Sequence, residues 1–149
     1  MINKTVYAAG STFTVPVNAT PQAVEFGTQS PEVVVSAPNA RRYIRCGVLI
    51  SLQETEFQHP STLTLRLRRT NNTIGVIANT TTAVSLNTSN SGDSDSGLSN
   101  TEFMVELPPV SFMTTATGND HIQLEASLDV APQYGDVKIV DAWMILEQA

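Results

Sequence analysis

Alternation with a period of two residues is the feature that most constrains the fold of this chain. In the segment 43–52, every second residue is apolar, and the same period recurs along 61–70 and 121–130. Successive side chains of a β-strand point to opposite faces, so this pattern predicts strands with one buried and one wet face. No comparable stretch shows the period of a long amphipathic helix.

Shorter apolar runs, separated by turn residues, extend the same pattern along the chain. Further strands are predicted near 12–17, 32–35, 73–78, 83–86, 103–107 and 137–146. About eight to ten strands at this spacing predict an all-β fold, an antiparallel β-sandwich of either the jelly-roll or the immunoglobulin-like type. The Cys and Trp spacing of immunoglobulin domains is absent, so the jelly roll is favoured, with the strand from Tyr43 and the final strand both long and central.

The length of 149 residues fits one domain that spans 1–149. Within it, residues 1–20 are a candidate for an extended N-terminal arm. Residues 87–101, "NTSNSGDSDSGLSNT", are predicted to form a long exposed loop because Leu98 is their one apolar residue. Neither a secretory signal nor an apolar run of membrane-spanning length is visible, and we expect a soluble product made in a cytosol.

The sequence contains few residue patterns that are typical of catalytic or ligand-binding sites. The two histidines, His59 and His121, lack the H-x-H pattern of metal-binding cupins. Asp93 and Asp95 in "GDSDSG" resemble part of a calcium loop without the glutamate that an EF-hand requires. Cys46, the single cysteine, is predicted to be a small buried hydrophobe. We therefore expect no catalytic residue, no cofactor, no metal site and no enzyme.

Charge is unevenly distributed along the sequence. Residues 41–69 hold all six arginines and two acids, for a net charge of +4, whereas the other residues carry −10. The overall charge of −6 argues against a general nucleic-acid binder. Arg66 and Arg68 point outward from the strand at 61–70, and Arg45 is expected on a neighbouring strand. These three arginines are a candidate docking patch for an acidic partner, or else solvated charges that discourage edge-to-edge aggregation.

The final strand has two apolar rows. One row contains Val140, Ala142, Met144 and Leu146, and the other contains Ile139, Trp143 and Ile145. Only one face of such a strand packs on its own core, so the second row predicts a cover. A second copy of the chain is the hypothesis for Ile139, Trp143 and Ile145, because Trp is a favoured interface anchor. Cover by the N-terminal segment is the alternative.

The strand pattern of the whole chain, with "ARRYIRCGVLISLQ", "STLTLRLRRT" and "GDVKIVDAWMILEQA", resembles the small jelly-roll structural proteins of tailed bacteriophages. It is most similar to capsid decoration, or cement, proteins. The resemblance implies a structural virion protein on the outer capsid surface, synthesised in the host cytoplasm. Its implied partners are itself, as a dimer or trimer, and a major capsid protein that it bridges, with no direct contact with nucleic acid or membrane.

A second reading is a carbohydrate- or receptor-binding β-sandwich module of a phage tail or fibre. Such a module uses exposed aromatic rings as platforms for a glycan. The candidates are Tyr7, Tyr43, Tyr134 and Trp143.

Overall fold

Strands are the only regular secondary structure of the described chain. The computed structural model describes residues 3–8, 12–26, 32–70, 75–76, 80–86 and 99–148, and within these ranges it has no helix. The strands are β1 (Asn3–Ala8), β2 (Phe13–Thr14), β3 (Gln22–Ala23), β4 (Glu32–Val35), β5 (Arg41–Glu56), β6 (Ser61–Thr70), β7 (Gly75–Val76), β8 (Thr82–Leu86), β9 (Ser99–Glu106), β10 (Val110–Met113), β11 (Asp120–Leu128) and β12 (Tyr134–Gln148). The predicted all-β class is confirmed.

These strands form two antiparallel sheets. Sheet A has the order β1-β12-β5-β10, with β2 also paired to β12 and β9 also paired to β5. Sheet B has the order β3-β11-β6-β7, with β4 also paired to β11 and β8 also paired to β6. The buried apolar residues lie in one cluster between the sheets. The molecule is therefore a β-sandwich.

The strand order is that of a jelly roll. Four positions are each occupied by two short strands in succession: β1 with β2, β3 with β4, β7 with β8, and β9 with β10. Counting each such couple once leaves eight positions. Sheet A then reads 1-8-3-6 and sheet B reads 2-7-4-5, which is the double Greek-key arrangement of jelly rolls. The predicted jelly-roll sandwich is confirmed.

Long strands occupy the centre of sheet A. β5 has 16 residues and β12 has 15, and each is hydrogen-bonded on both sides. The neighbouring β9 and β10 are separate because Pro108 and Pro109 lie between them and cannot donate to a ladder. The prediction that the strand from Tyr43 and the final strand are long and central is confirmed.

The rows predicted to be apolar in three strands face the core. The buried residues are Ile44, Cys46, Val48, Ile50 and Leu52 on β5, Leu63, Leu65 and Leu67 on β6, and Ile122, Leu124, Ala126 and Leu128 on β11. Burial raises the pKa of the Cys46 thiol to about 12, so it stays protonated. Cys46 is a buried hydrophobe, as predicted.

The last strand departs from strict alternation. Ile139 pairs with Ile50 and Asp141 pairs with Leu49, so Val140 is the extra residue of a β-bulge. The bulge moves the inward row from Val137 and Ile139 to Ala142, Met144 and Leu146, all of which are buried. Ile139 is therefore a core residue with 0% exposure, and the prediction that it shares an outer face with Trp143 and Ile145 was wrong.

One end of the sandwich is joined by polar groups. The Nη1 atom of Arg69 on β6 donates to the carbonyl of Met113 on β10 at 2.6 Å, which links sheet B to sheet A. The same atom lies 3.7 Å from Oδ2 of Asp120, a carboxylate with 0% exposure that also accepts the backbone N–H of Thr115 at 2.9 Å. This contact holds the two sheets together where the hydrophobic core ends.

A second carboxylate lies at the opposite end of sheet B. The backbone N–H of Thr62 donates to Oδ1 of Asp129 at 2.7 Å, and the hydroxyl of Ser61 donates to the same atom at 3.1 Å. The backbone hydrogen bond from Thr62 is the main cause that lowers the pKa of Asp129 below its usual value. These bonds fasten the start of β6 to the end of β11.

Two predicted segments fall partly outside the described residues. Of the predicted loop 87–101, residues 87–98, with Asp93 and Asp95, lie outside them, whereas 99–101 begin β9. Of the candidate arm 1–20, β1 and β2 pair in the sheet beside β12.

Candidate interaction surfaces on the two outer faces

The described residues offer few features of a metal site or of a ligand pocket. Among those residues, no group of three or more His, Cys, Asp or Glu side chains could hold a metal ion. A shallow, open depression of about 300 Å³ lies beside β5 and β9 and is lined by Ser51, Leu52, Gln53, Thr101 and Glu102. In the same part of the chain, no helix has the length and apolar character needed to cross a membrane. The candidate surfaces are therefore the outer faces of the two sheets.

The outer face of sheet B, termed the polar face, carries charged and amide side chains. The even-numbered apolar residues of β11 and the odd-numbered leucines of β6 point inward, so the residues between them point outward. In register, Arg66 lies opposite Glu125, Arg68 lies opposite Gln123, and Gln123 lies opposite Glu32 of β4. The polar face contains Glu32, Arg66, Arg68, His121, Gln123 and Glu125.

Glu125 is the centre of this face. Its side chain is only 5% exposed, and it accepts Nε of Arg66 at 2.8 Å and Nη1 of Arg68 at 3.4 Å. A nearly buried carboxylate is costly unless it is paired and hydrogen-bonded, and these two guanidinium groups supply both. The two predicted docking arginines of β6 are thus already bound to a carboxylate of their own chain.

A second polar group adjoins the first. Nδ1 of His121 is hydrogen-bonded to Oε1 of Glu32, and Nε2 of Gln123 donates to Oε2 of Glu32 at 2.8 Å. The pair of His121 and Glu32 is not visible along one strand of the sequence, because His121 belongs to β11 and Glu32 belongs to β4. The alternating polar residues at 121–125 identify the face, but the partner depends on which strand lies beside β11.

Arg45 does not belong to the polar face. It lies on β5 in sheet A and is exposed, on the opposite side of the sandwich from Arg66 and Arg68. β5 and β6 are consecutive, but the connection at 57–60 passes from one sheet to the other, as the jelly roll requires. The prediction that these three arginines form one patch was therefore wrong.

The outer face of sheet A, termed the apolar face, has the opposite character. Met104 is 60% exposed and Tyr43 is 46% exposed, while Leu49, Trp143 and Ile145 are half-buried. Leu49 of β5 lies directly opposite Met104 of β9 in the ladder. The apolar face contains Tyr43, Leu49, Met104, Trp143 and Ile145.

The indole of Trp143 covers the main chain of Gly47. The two residues are opposite each other in the ladder of β5 and β12. A Cβ atom added to Gly47 would lie 2.5 Å from Cε2 and 2.8 Å from Nε1 of the ring, which is far inside van der Waals contact. Gly47 thus leaves the space that the ring occupies, and Trp143 is held against the outer surface of the sheet.

Charged groups surround the apolar face. The set contains Arg45, Lys138, Glu102, Glu106 and Glu147, all exposed or half-buried. Asp141, next to the bulge, has one buried carboxylate oxygen, Oδ1, with no hydrogen-bond partner among the described residues. An apolar centre with a polar rim is the usual anatomy of a protein–protein interface.

The aromatic residues suggested for glycan binding are dispersed. Tyr134 is 56% exposed and lies opposite Glu56, whereas Tyr43 lies opposite Glu147 at the other end of the same ladder. Tyr43 and Glu56 are thirteen positions apart along β5, or about 40 Å at the rise of a strand. Tyr7 lies opposite Trp143 in register. Tyr43 and Tyr134 therefore do not share one platform.

Comparison with known proteins bears on the fold. No protein-family model matches the sequence, and no curated protein matches it. Among solved structures, the chain is similar to a chain in the structure of infectious bursal disease virus, Gx strain, with a TM-score of 0.53 and 8% sequence identity. The match covers 100% of this chain and 34% of the other, so this chain spans about a third of the chain that it matches. At this identity, the similarity is one of fold.

Proposed function

We propose that this protein is a structural component of a virus particle, which binds the outside of a phage capsid and stabilises it by bridging major capsid subunits. The observation that carries the proposal is the jelly-roll strand order, together with a fold match over the full chain to a chain of a virus structure. The phage host and the outer position rest on the sequence resemblance to decoration proteins.

Bridging requires buried area rather than reaction chemistry. A protein that binds assembled subunits but not dissociated ones stabilises the shell through mass action. A standard contact of about 1,600 Å² at each site is sufficient for specific binding. Rigid strands on both outer faces of a sandwich can present such an area without rearrangement.

The polar face is the proposed docking surface for the capsid. Two arginines and two glutamates, Glu32 and Glu125, make the polar face as a whole formally neutral. Its positive charge is confined to the cluster in which Arg66 and Arg68 share the single carboxylate of Glu125, on a chain whose net charge is −6. We expect it to meet an acidic surface of the major capsid protein. Arg45, on the other side of the sandwich, is not part of this contact.

The direct test mixes the purified protein with empty phage heads from the same source. We expect saturable co-sedimentation and a higher melting temperature of the heads, since only the assembled shell offers the bridged site. Failure to co-sediment at low and moderate salt would contradict the proposal.

Variants locate the docking surface. Arg68→Gln removes an arginine that is 35% exposed while Arg66 keeps its bond to Glu125, so we expect weaker head binding and a shallower salt dependence. Arg41→Gln, an exposed residue of β5 in sheet A, is the matched control for net charge. An equal loss in both variants would show that overall charge, rather than the polar face, governs binding.

A further inference from the structure

We infer that the apolar face is the contact between two copies of this chain, packed face to face through sheet A about a two-fold axis. The inference goes beyond capsid binding because it concerns the isolated protein. It starts from the cluster of Tyr43, Leu49, Met104, Trp143 and Ile145 on one outer face, where an antiparallel sheet ordinarily presents polar side chains.

The centre of this face is pre-formed. Gly47 leaves the space in which the indole of Trp143 lies against the sheet, so the ring loses little conformational freedom when a partner covers it. Leu49 and Met104 lie side by side on adjacent strands next to it. Rigid aromatic and flexible thioether groups in one apolar centre are the residue types enriched in interfaces.

The available area fits a stable dimer. The ladder of β5 and β12 runs from the pair Glu56–Tyr134 to the pair Arg42–Gln148, which corresponds to a length of about 40 Å. Four strand positions give sheet A a width of about 19 Å. The product, roughly 800 Å², is the area of the whole outer face, with its apolar centre and its charged rim, and it matches what each partner contributes to an interface of standard size.

The charges around the face are of both signs, so the face can be complementary to a second copy of itself. Arg45 and Glu147 lie towards one end of the face, and Lys138 and Glu102 lie towards the other, on either side of Ser51. A two-fold axis in the interface plane, perpendicular to the strands, superposes these two ends. Arg45 then lies near Ser51 of the other copy, between its Glu102 and its Lys138, and Lys138 approaches Glu147, each contact occurring twice.

The other in-plane axis brings together a different set of charges. An axis along the strands that passes through β5 places Lys138 against Glu102 of the second copy, because these residues flank Ser51 on opposite sides. The same axis places Arg45 against Arg45, and such like-charge contacts are costly. The perpendicular axis avoids the contact of Arg45 with itself, and it is the arrangement that a charge exchange between Arg45 and Glu102 tests.

Mass and fluorescence measurements test the dimer directly. Light scattering should give twice the chain mass of 16.0 kDa at high concentration. Trp143 is the one tryptophan of the chain, so its emission should shift to the blue as concentration rises and the face becomes covered. A mass of one chain at every concentration, with constant emission, would overturn the inference.

Surface variants test the face without disturbing the core. Met104→Glu should raise the dimer dissociation constant at least about tenfold, because it places a charge at the apolar centre. Val34→Glu, at a residue of sheet B that is 37% exposed, is the matched control and should leave the dimer intact. A Met104→Glu protein with the dissociation constant of the wild type would contradict the proposed face.

A charge exchange tests the orientation. Arg45→Glu alone should weaken the dimer, and Arg45→Glu combined with Glu102→Arg should restore it, because the two residues then pair again with reversed signs. Failure of the second change to restore the dimer would overturn the perpendicular axis. The outcomes are separable from capsid binding: a monomer that binds heads refutes only the dimer, and a dimer that ignores heads refutes only the capsid role.

Discussion

The two outer faces of this sandwich differ in whether their side chains are paired within the chain or left exposed. On the polar face, Glu125 is nearly buried, and Arg66 and Arg68 compensate its charge within the chain. On the apolar face, Met104 and Tyr43 are largely exposed, and the charged residues lie around them. The comparison shows that a cluster of arginines in a sequence need not be the surface with the most to gain from a partner.

The physical reason is that the two kinds of surface gain differently from association. A charged side chain that is already paired must lose its remaining hydration, or its present partner, before it contacts another group. Such a contact therefore adds specificity more than affinity. Apolar area gains about 25 cal/mol for each Å² removed from water. We therefore expect the apolar face to supply affinity in the proposed dimer, and the polar face to supply stability to the monomer and electrostatic selection of the proposed partner.

The largest expected effect is the loss of stability on truncation of Ile139, and it tests whether this residue lies in the core or on the apolar face. Ile139→Ala should lower the free energy of unfolding by about 3 kcal/mol, because it leaves a cavity in the core. Urea unfolding of the variant under conditions where both proteins are monomeric measures this loss. A loss below about 1 kcal/mol would mean that Ile139 lies at the surface and that the bulge at Val140 is not formed.

Removal of the central carboxylate tests the polar face. Glu125→Gln should lower the free energy of unfolding by about 2 kcal/mol, because Arg66 and Arg68 then lie together without a compensating charge. A double-mutant cycle with Arg66→Gln, followed by urea unfolding, measures the coupling. We expect no change in the mass of the oligomer, and a dissociated dimer would show that the polar face takes part in self-association.

Addition of a methyl group at Gly47 tests the contact between the Trp143 indole and the main chain of β5. Gly47→Ala should displace the indole of Trp143 and cost about 1 kcal/mol of stability, since the ring rather than the main chain can move. Tryptophan emission should shift while far-ultraviolet circular dichroism is unchanged. Ser51→Ala, on the same strand and face, is the control, and an equal effect of both variants would argue against a specific contact at Gly47.

The smallest effect is expected at the exposed side of the polar face. Arg68→Gln should change the free energy of unfolding by less than about 0.5 kcal/mol, because its bond to Glu125 is long, at 3.4 Å, and its side chain is 35% exposed. Thermal unfolding at low and high salt measures the difference. A loss as large as that of Glu125→Gln would show that Arg68, rather than Arg66, is the main partner of Glu125.

Several details of the fold follow local patterns, and others do not. The strand at 32–35 was predicted with its observed bounds, and the inward rows of β5, β6 and β11 were predicted correctly. β1, β3 and β10 were missed, because short edge strands are specified by the long strand beside them more than by their own residues.

The candidate surfaces were predicted less well than the fold. Trp143 and Ile145 were correctly placed on an outer face, but Leu49 and Met104 were not recognised as their neighbours. Leu49 is an apolar residue among the outward positions of β5, and that is the local signal that could have drawn attention to it. Its proximity to Met104 depends on the pairing of β5 with β9, which are more than 40 residues apart in the sequence.

The sequence by itself determined the all-β class and the buried rows of β5, β6 and β11, because the alternation of side chains is a local property of every strand. Only the tertiary structure decided three other features: the bulge that buries Ile139, the separation of Arg45 from Arg66 and Arg68, and the pairing of Glu125 with both arginines of β6. Each depends on which strands become neighbours and in which register. Those choices are set by the packing of the whole core and by the crossing connections of the jelly roll, and no single segment contains them.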